Sequence, residues 1–172
     1  MAQYNYSTKM EGEYAQAVGR DLSISTKHSV EVCRFIRGRN VQNAKKLLEE
    51  VIGMKRAVPY KRFNRDLGHK KGMAAGRFPV STCKEILKIL ESAESNAQFK
   101  GFNTSRLRIT HVNAQKASRP MHAGRHRGRE MKRTHIEIVL KEGAQAEKKE
   151  EKTQKSPAPK KATTEEKKGD NK

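Results

Sequence analysis

The chain is 172 residues long and carries 38 Lys and Arg against 19 Asp and Glu, a formal net charge of +19. Such an excess calls for a polyanionic partner, nucleic acid or an anionic surface. No apolar run approaches the roughly 20 residues of a membrane span, the opening MAQYNYSTKMEGEYAQ lacks the apolar stretch of a secretory signal, and with 5% aromatics and no Trp the core must be small and aliphatic, poor material for an enclosed catalytic pocket.

Residues 1–20 show little periodicity. Tyr4, Tyr6 and Tyr14 stand among polar residues, which predicts an extended arm. A first helix is expected over about 26–37, with Ser25 as N-cap and Gly38 as the stop. Val30, Cys33 and Ile36 share a face, with Val32 and Phe35 beside it, and Arg34, Arg37 and Arg39 gather at the C-terminal end, where the helix dipole favours cations. A second helix follows, capped by Asn40 and stopped by Gly53. Its residues Val41, Ala44, Leu47, Leu48, Val51 and Ile52 keep the 3.6-residue period.

Residues 54–78 hold eight cations against one acid, Asp66. Pro59, Gly68, Gly72 and Gly76 argue against regular structure there. Tyr60, Phe63 and Phe78 interleave with the cations, either pinning the segment to the core or stacking on bases, and burial favours pinning. A third helix follows Pro79, capped by Ser81 or Thr82, with Cys83, Ile86, Leu87, Leu90, Ala93 and Ala97 as its stripe. Cys33 and Cys83 lie on apolar faces and read as buried free thiols of a reducing cytoplasm.

The stretch 105–141 organises the rest. Its ends are strands by period two: Leu107 and Ile109 alternate with arginines, and Ile136, Ile138 and Leu140 alternate with Glu137 and Val139. Between them, residues 114–133 carry seven cations and one acid, Glu130, with no aromatic and no large aliphatic side chain beyond Met121 and Met131. Such a segment cannot build a core. It reads as a hairpin extended into a ribbon, each arm of about ten residues reaching on the order of 30 Å. A bare ribbon is marginal in water, so this one needs a polyanion. From Lys141 onward ten lysines mix with seven acids, and the apolar side chains are only Ala and Pro. This is a low-complexity tail.

Specific chemistry is sparse. No G-x-S-x-G occurs, no paired carboxylates sit in an apolar setting, and the glycines match neither a phosphate loop nor a dinucleotide fingerprint. His122 and His126 have i, i+4 spacing, but nothing nearby completes a metal shell, so neither metal nor cofactor is expected. The short turn between the first two helices raises a helix-turn-helix with a winged hairpin, which would bind DNA. The long hairpin and the few base-reading candidates on the second helix (Gln42, Asn43, Lys45, Lys46) weigh against it. A small RNA-modifying enzyme is the other alternative.

Several motifs together resemble the large-subunit ribosomal protein twenty-two family, in its archaeal and eukaryotic-type branch. They are Gly19-Arg20-Asp21-Leu22 with Ile24-Ser25, Phe35-Ile36-Arg37-Gly38, Ala57-Val58-Pro59-Tyr60, the run LESAESNA from Leu90 to Ala97, Ala123-Gly124-Arg125, and HIEIVL from His135 to Leu140. They span about 14–141 in the family order. One departure is His122, where the family often has arginine before the tip alanine.

The resemblance implies an α+β fold: three helices packed on a small three-stranded antiparallel sheet, with a long protruding β-hairpin. The expected organisation is an arm over 1–13, an RNA-binding domain over 14–142 with its hairpin at about 105–141, and the tail over 143–172. The implied partners are large-subunit ribosomal RNA, neighbouring ribosomal proteins and the nascent polypeptide, for a monomer within cytoplasmic ribosomes. The candidate RNA-binding residues on the body are Arg20, Lys27, Arg34, Arg37, Arg39, Lys61, Arg62, Arg65, His69, Lys70, Lys71 and Arg77. On the hairpin they are Lys116, Arg119, His122, Arg125, His126, Arg127, Arg129, Lys132 and Arg133. The tip, Met121, His122, Ala123, Gly124 and Arg125, is implied to help line the nascent-peptide exit tunnel.

Overall fold

The computed structural model describes residues 4–8 and 12–143. The low-complexity tail lies outside the described residues from position 144 on. In chain order the elements are β1 (Ala15–Leu22), α1 (Thr26–Ile36), α2 (Val41–Ile52), β2 (Val58–Pro59), β3 (His69–Lys70), β4 (Met73–Arg77), α3 (Val80–Phe99), β5 (Leu107–Lys116) and β6 (Thr134–Glu142). The fold is α+β. One antiparallel sheet has the order β1-β6-β5, and a smaller one has the order β2-β4-β3.

The helices pack their apolar stripes on the larger sheet. Val32, Cys33 and Ile36 of α1, Ala44, Leu48 and Val51 of α2, and Cys83, Ile86, Leu90, Ala93 and Ala97 of α3 join Ile109, Val112, Ile136, Ile138 and Leu140 in one buried cluster. Each such large aliphatic side chain contributes on the order of 1.5–3 kcal/mol by leaving water. Ile89, outside the expected stripe, is buried as well, while Leu87 and Val30 are only partly so. Both cysteines are free and buried, and burial pushes each thiol up to about 12, so both stay protonated and unreactive.

The helix starts depart from simple capping. Ser25 and Asn40 occupy the N-cap positions of α1 and α2, yet neither side chain bonds a helix amide. At α1 the Ser29 hydroxyl turns back onto the Ser25 carbonyl, at 2.9 Å. α3 starts after Pro79 rather than at Ser81 or Thr82, because the Cys83 amide already donates to the Pro79 carbonyl at 3.0 Å and the ring of Pro79 fixes the entry backbone. Gly53 ends α2 with φ −76°, and the left-handed residue is the next one, Met54, at φ +57°.

Three parts of the sheet structure differ from the sequence expectation. β1 forms an edge strand where little periodicity was visible, paired from Ala15↔Leu140 to Gly19↔Ile136. Ala15, Ala17 and Gly19 are small because α3 lies close: a Cβ on Gly19 would collide with the Ile89 side chain. β6, the middle strand, is buried on both faces, so Glu137 and Val139 are as inaccessible as the isoleucines beside them. The 54–78 segment, expected to be irregular, contains the short strands β2–β4, with Gly76 fitting where Met73 and Lys70 leave no room for a side chain.

Candidate nucleic-acid interface

The turn after α1 is fixed to the sheet. Gly38, at φ +74°, donates its amide to the Ile109 carbonyl at 3.1 Å, and the Ile109 amide returns to the Arg39 carbonyl at 3.0 Å. Arg37 donates to the Val112 carbonyl at 2.8 Å. These bonds coincide with the irregularity of β5 between Ile109 and His111. Arg39 donates through Nε to the Phe35 carbonyl at 3.0 Å, and its guanidinium lies 5.5 Å from the centre of the Phe35 ring. Arg34 projects from the exposed side of α1.

A buried acid organises the next basic segment. Glu31, 1% exposed, accepts the amides of Lys61, Arg62 and Phe63 at 3.1, 2.7 and 2.8 Å. Three converging N–H donors satisfy a carboxylate that would otherwise be costly to bury. They also aim the Lys61 and Arg62 side chains outward, where both are exposed. Arg65 folds back to the Lys61 carbonyl at 2.7 Å, and Arg62 covers Phe63 at 5.3 Å. Tyr60 is buried against His28, so one of the three aromatics pins the segment, whereas Phe63 and Phe78 are half-buried beneath Arg62 and Lys70. His69, Lys70, Lys71 and Arg77 are exposed on or beside β3 and β4.

Two adjoining hollows open here, sharing Phe35 and Pro59. The smaller, about 290 Å³, is lined also by Glu31, Arg34, Arg39 and Lys61. The larger, about 500 Å³, is lined by Lys55, Arg56, Lys70, Lys71, Met73 and Phe78, together with Ala57. Lys55 and Arg56 belong to the basic run of 54–78 that the sequence singles out, whereas Phe35 was not among the candidate binding residues. Its visible signal was its proximity to Arg34 and Arg39 in sequence, which the apolar face of the helix accounts for equally well.

The second basic surface is the connection between β5 and β6. The strands pair from Leu107↔Glu142 to Lys116↔Thr134. Past them, further bonds join the two arms: Ala117 N–H to the Arg133 carbonyl (3.2 Å), Met131 N–H to the Pro120 carbonyl (2.9 Å) and His122 N–H to the Arg129 carbonyl (2.9 Å). A single 3-10 turn over Gly124–His126, with Gly124 at φ +66°, reverses the chain. Every residue from 118 to 130 is exposed. That set includes the tip residues and Arg119, His122, Arg125, His126, Arg127 and Arg129. Lys116 and Lys132 are exposed too, and Arg119 meets Glu130 at 3.4 Å.

The base of this connection is tied to β1. Asp21, at φ +50° in the β1 irregularity, accepts from Ser118 (3.3 Å) through its carboxylate and from Arg133 (2.8 Å) through its carbonyl. Its own amide donates to His135 Nδ1 at 3.1 Å. Arg20 lies over Tyr4 at 5.6 Å, and Lys27 is exposed in the first turn of α1. Burial first, then the positive charges of Arg77 and Lys132, hold the half-buried His28 below the ordinary imidazole value.

A polar cluster surrounds the buried Glu137. Its carboxylate accepts the Ser7 amide at 3.0 Å and the Gln115 amide group at 3.0 Å. It also bonds the Ser7 hydroxyl and lies 3.4 Å from His111. The Ser7 hydroxyl shares His111 Nε2 with Glu137, and the Thr8 hydroxyl faces Nδ1 at 3.3 Å. The cluster latches residues 4–8 onto the sheet. Burial alone would raise the Glu137 pKa, but hydrogen bonds from Ser7, His111 and Asn113 outweigh it and hold the group below its ordinary value. Among the described residues no group of three His, Cys, Asp or Glu could hold a metal, and no helix is long and apolar enough to cross a membrane.

A helix-turn-helix reading fails on α2. Gln42 donates to Glu94 at 2.9 Å, and Lys45 forms an ion pair with the same carboxylate on α3. Two of the four side chains that could have read bases are therefore held against a neighbouring helix.

Residues 17–141 match the family model described as ribosomal protein L22p/L17e. Among curated proteins, the chain is 46% identical over 121 residues to the large ribosomal subunit protein uL22 of Archaeoglobus fulgidus, covering 67% of this chain and 78% of that one. It is 40% identical over 150 residues to that of Methanothrix thermoacetophila (83% and 99%). With that of Methanoregula boonei it shares 41% identity over 154 residues (84% and 100%).

Proposed function

The chain belongs to the ribosomal protein L22p/L17e family, a non-enzymatic constituent of the large ribosomal subunit, and we propose that it holds large-subunit ribosomal RNA through the two basic surfaces described above. The observation that carries this reading is the exposed segment 118–130, dense in arginine and without a core of its own. A self-repelling ribbon gains most by neutralising phosphates, and arginine forks fit phosphates and base edges.

On this reading the α1 turn and the 55–77 segment seat the body on RNA. The β5–β6 connection passes between RNA segments, and its tip, Met121 to Arg125, helps line the exit tunnel and meets the nascent chain. Neighbouring ribosomal proteins are further partners, and the site of action is the cytoplasmic ribosome.

The test is sedimentation of a native lysate through sucrose after a high-salt wash. Retention of the chain with the large subunit is expected. Release into the free fraction at moderate salt would overturn the claim that the charged segment is enclosed by RNA.

A further inference from the structure

We propose that the larger hollow beside α1 receives one unstacked nucleotide of the RNA, its base against Phe35 and Phe78 and its phosphates among Lys55, Lys70 and Lys71. The inference deepens the RNA-binding reading and rests on it.

The hollow has the character of a nucleotide site. Its apolar and aromatic lining, Phe35, Pro59 and Phe78, is partly buried, whereas its cations Lys55, Arg56, Lys70 and Lys71 are exposed, and no acid lines it. Its volume of about 500 Å³ is in the range of sites that enclose a small ligand. A duplex would engage only the exposed cations, because its bases are stacked inside and cannot reach the half-buried rings. An unstacked base presents a flat π-face to Phe35 or Phe78 while its backbone stays at the cations.

In the free protein cations stand in for the base. The Lys70 ammonium lies 5.9 Å from the centre of Phe78, and Arg39 covers Phe35 at 5.5 Å. An exposed cation over a ring is held more weakly than a stacked base. Exchange therefore favours the nucleotide and frees Lys70 for a phosphate. The adjoining hollow repeats the pattern with Arg34 and Lys61 around the same Phe35. Its one acid, Glu31, is already bonded by three backbone amides, so it does not repel an anion as a free carboxylate would.

The experiment compares binding of a fluorescent uridine oligonucleotide and of an RNA duplex to the full chain, at one fixed salt concentration, for the natural protein and Phe78→Leu. Leucine keeps the apolar bulk and removes the π-face. The ratio of single-strand to duplex affinity is expected to fall by about tenfold in the variant. An unchanged ratio overturns the nucleotide site while leaving the RNA-binding reading intact, whereas failure of the natural protein to bind either RNA overturns both. A measurement on the natural chain alone guards against a folding defect. Photocrosslinking to a thiouridine-containing oligonucleotide should label peptides holding Phe35 or residues 55–78, and labelling confined to 119–129 would refute the site.

Discussion

At the residue scale, two buried carboxylates hold distant segments in place, Glu31 the 61–63 backbone and Glu137 the Ser7 arm, and neither was legible as such. Glu31 and Glu137 sit in patterns where a polar residue is ordinarily read as solvent-facing. They are buried because backbone and side-chain donors from distant segments converge on them, and sequence periodicity cannot show those donors. Glu137 makes a prediction of definite sign. Its folded pKa is depressed, so its full contribution to stability is present above the ordinary carboxylate value of about 4.3. Below that pH the unfolded chain takes up the proton first, and stability falls until the folded group also titrates. Glu137→Gln removes this titration. The variant should lose about 1–3 kcal/mol at neutral pH, the scale of a buried group left with mismatched partners, and its acid limb should be shallower. Urea midpoints across acidic and neutral pH measure both effects. Parallel curves for the two proteins would show that the Ser7 latch does not act through this charge.

At the element scale, the helices were legible because they are amphipathic with clear stops. α1 and α2 lie where the 3.6-residue period puts them. The ends of the β5–β6 pair were legible from period two, although β6 proved buried on both faces. β1 was not visible, because its inward residues Ala15, Ala17 and Gly19 were chosen for closeness to α3 rather than for hydrophobic bulk. β2–β4 were hidden by their own brevity and by the glycines that permit their close pairing. Of the candidate binding residues, the structure gathers Arg34, Arg39 and Lys61 around one hollow and Lys70 and Lys71 around the next, while Arg37 and Arg133 are partly engaged by carbonyls of the body. The β5–β6 connection can be tested as a unit. Arg125, Arg127 and Arg129 are exposed, so changing all three to Glu should shift the folding stability of the chain little, by about 0.5 kcal/mol or less per site. It should strongly reduce incorporation into large subunits, as read by sedimentation of tagged variant against natural chain. Equal incorporation would sink the idea that this connection is held by RNA.

At the scale of the whole molecule, charge is distributed unevenly in kind as well as amount. The described body concentrates cations on two surfaces, whereas the residues after Gly143 contain nine lysines interspersed with six acids. Counterion release scales with phosphates neutralised, not with lysines present, and a lysine with acids close by in sequence has less net charge to offer. Gly143 itself closes the sheet edge through its amide to the Arg106 carbonyl at 3.0 Å, so truncation directly after it leaves that bond in place. The truncated chain should therefore bind large-subunit RNA with an affinity within about threefold of the full chain, and the slope of log affinity against log salt should change by less than about one phosphate contact. The triple arginine reversal should flatten the same slope by roughly two to three. Titrations at several salt concentrations separate the two cases. A truncation that flattens the slope as much as the arginine reversal would place a main RNA anchor beyond Gly143, and the division of labour between body and tail would have to be redrawn.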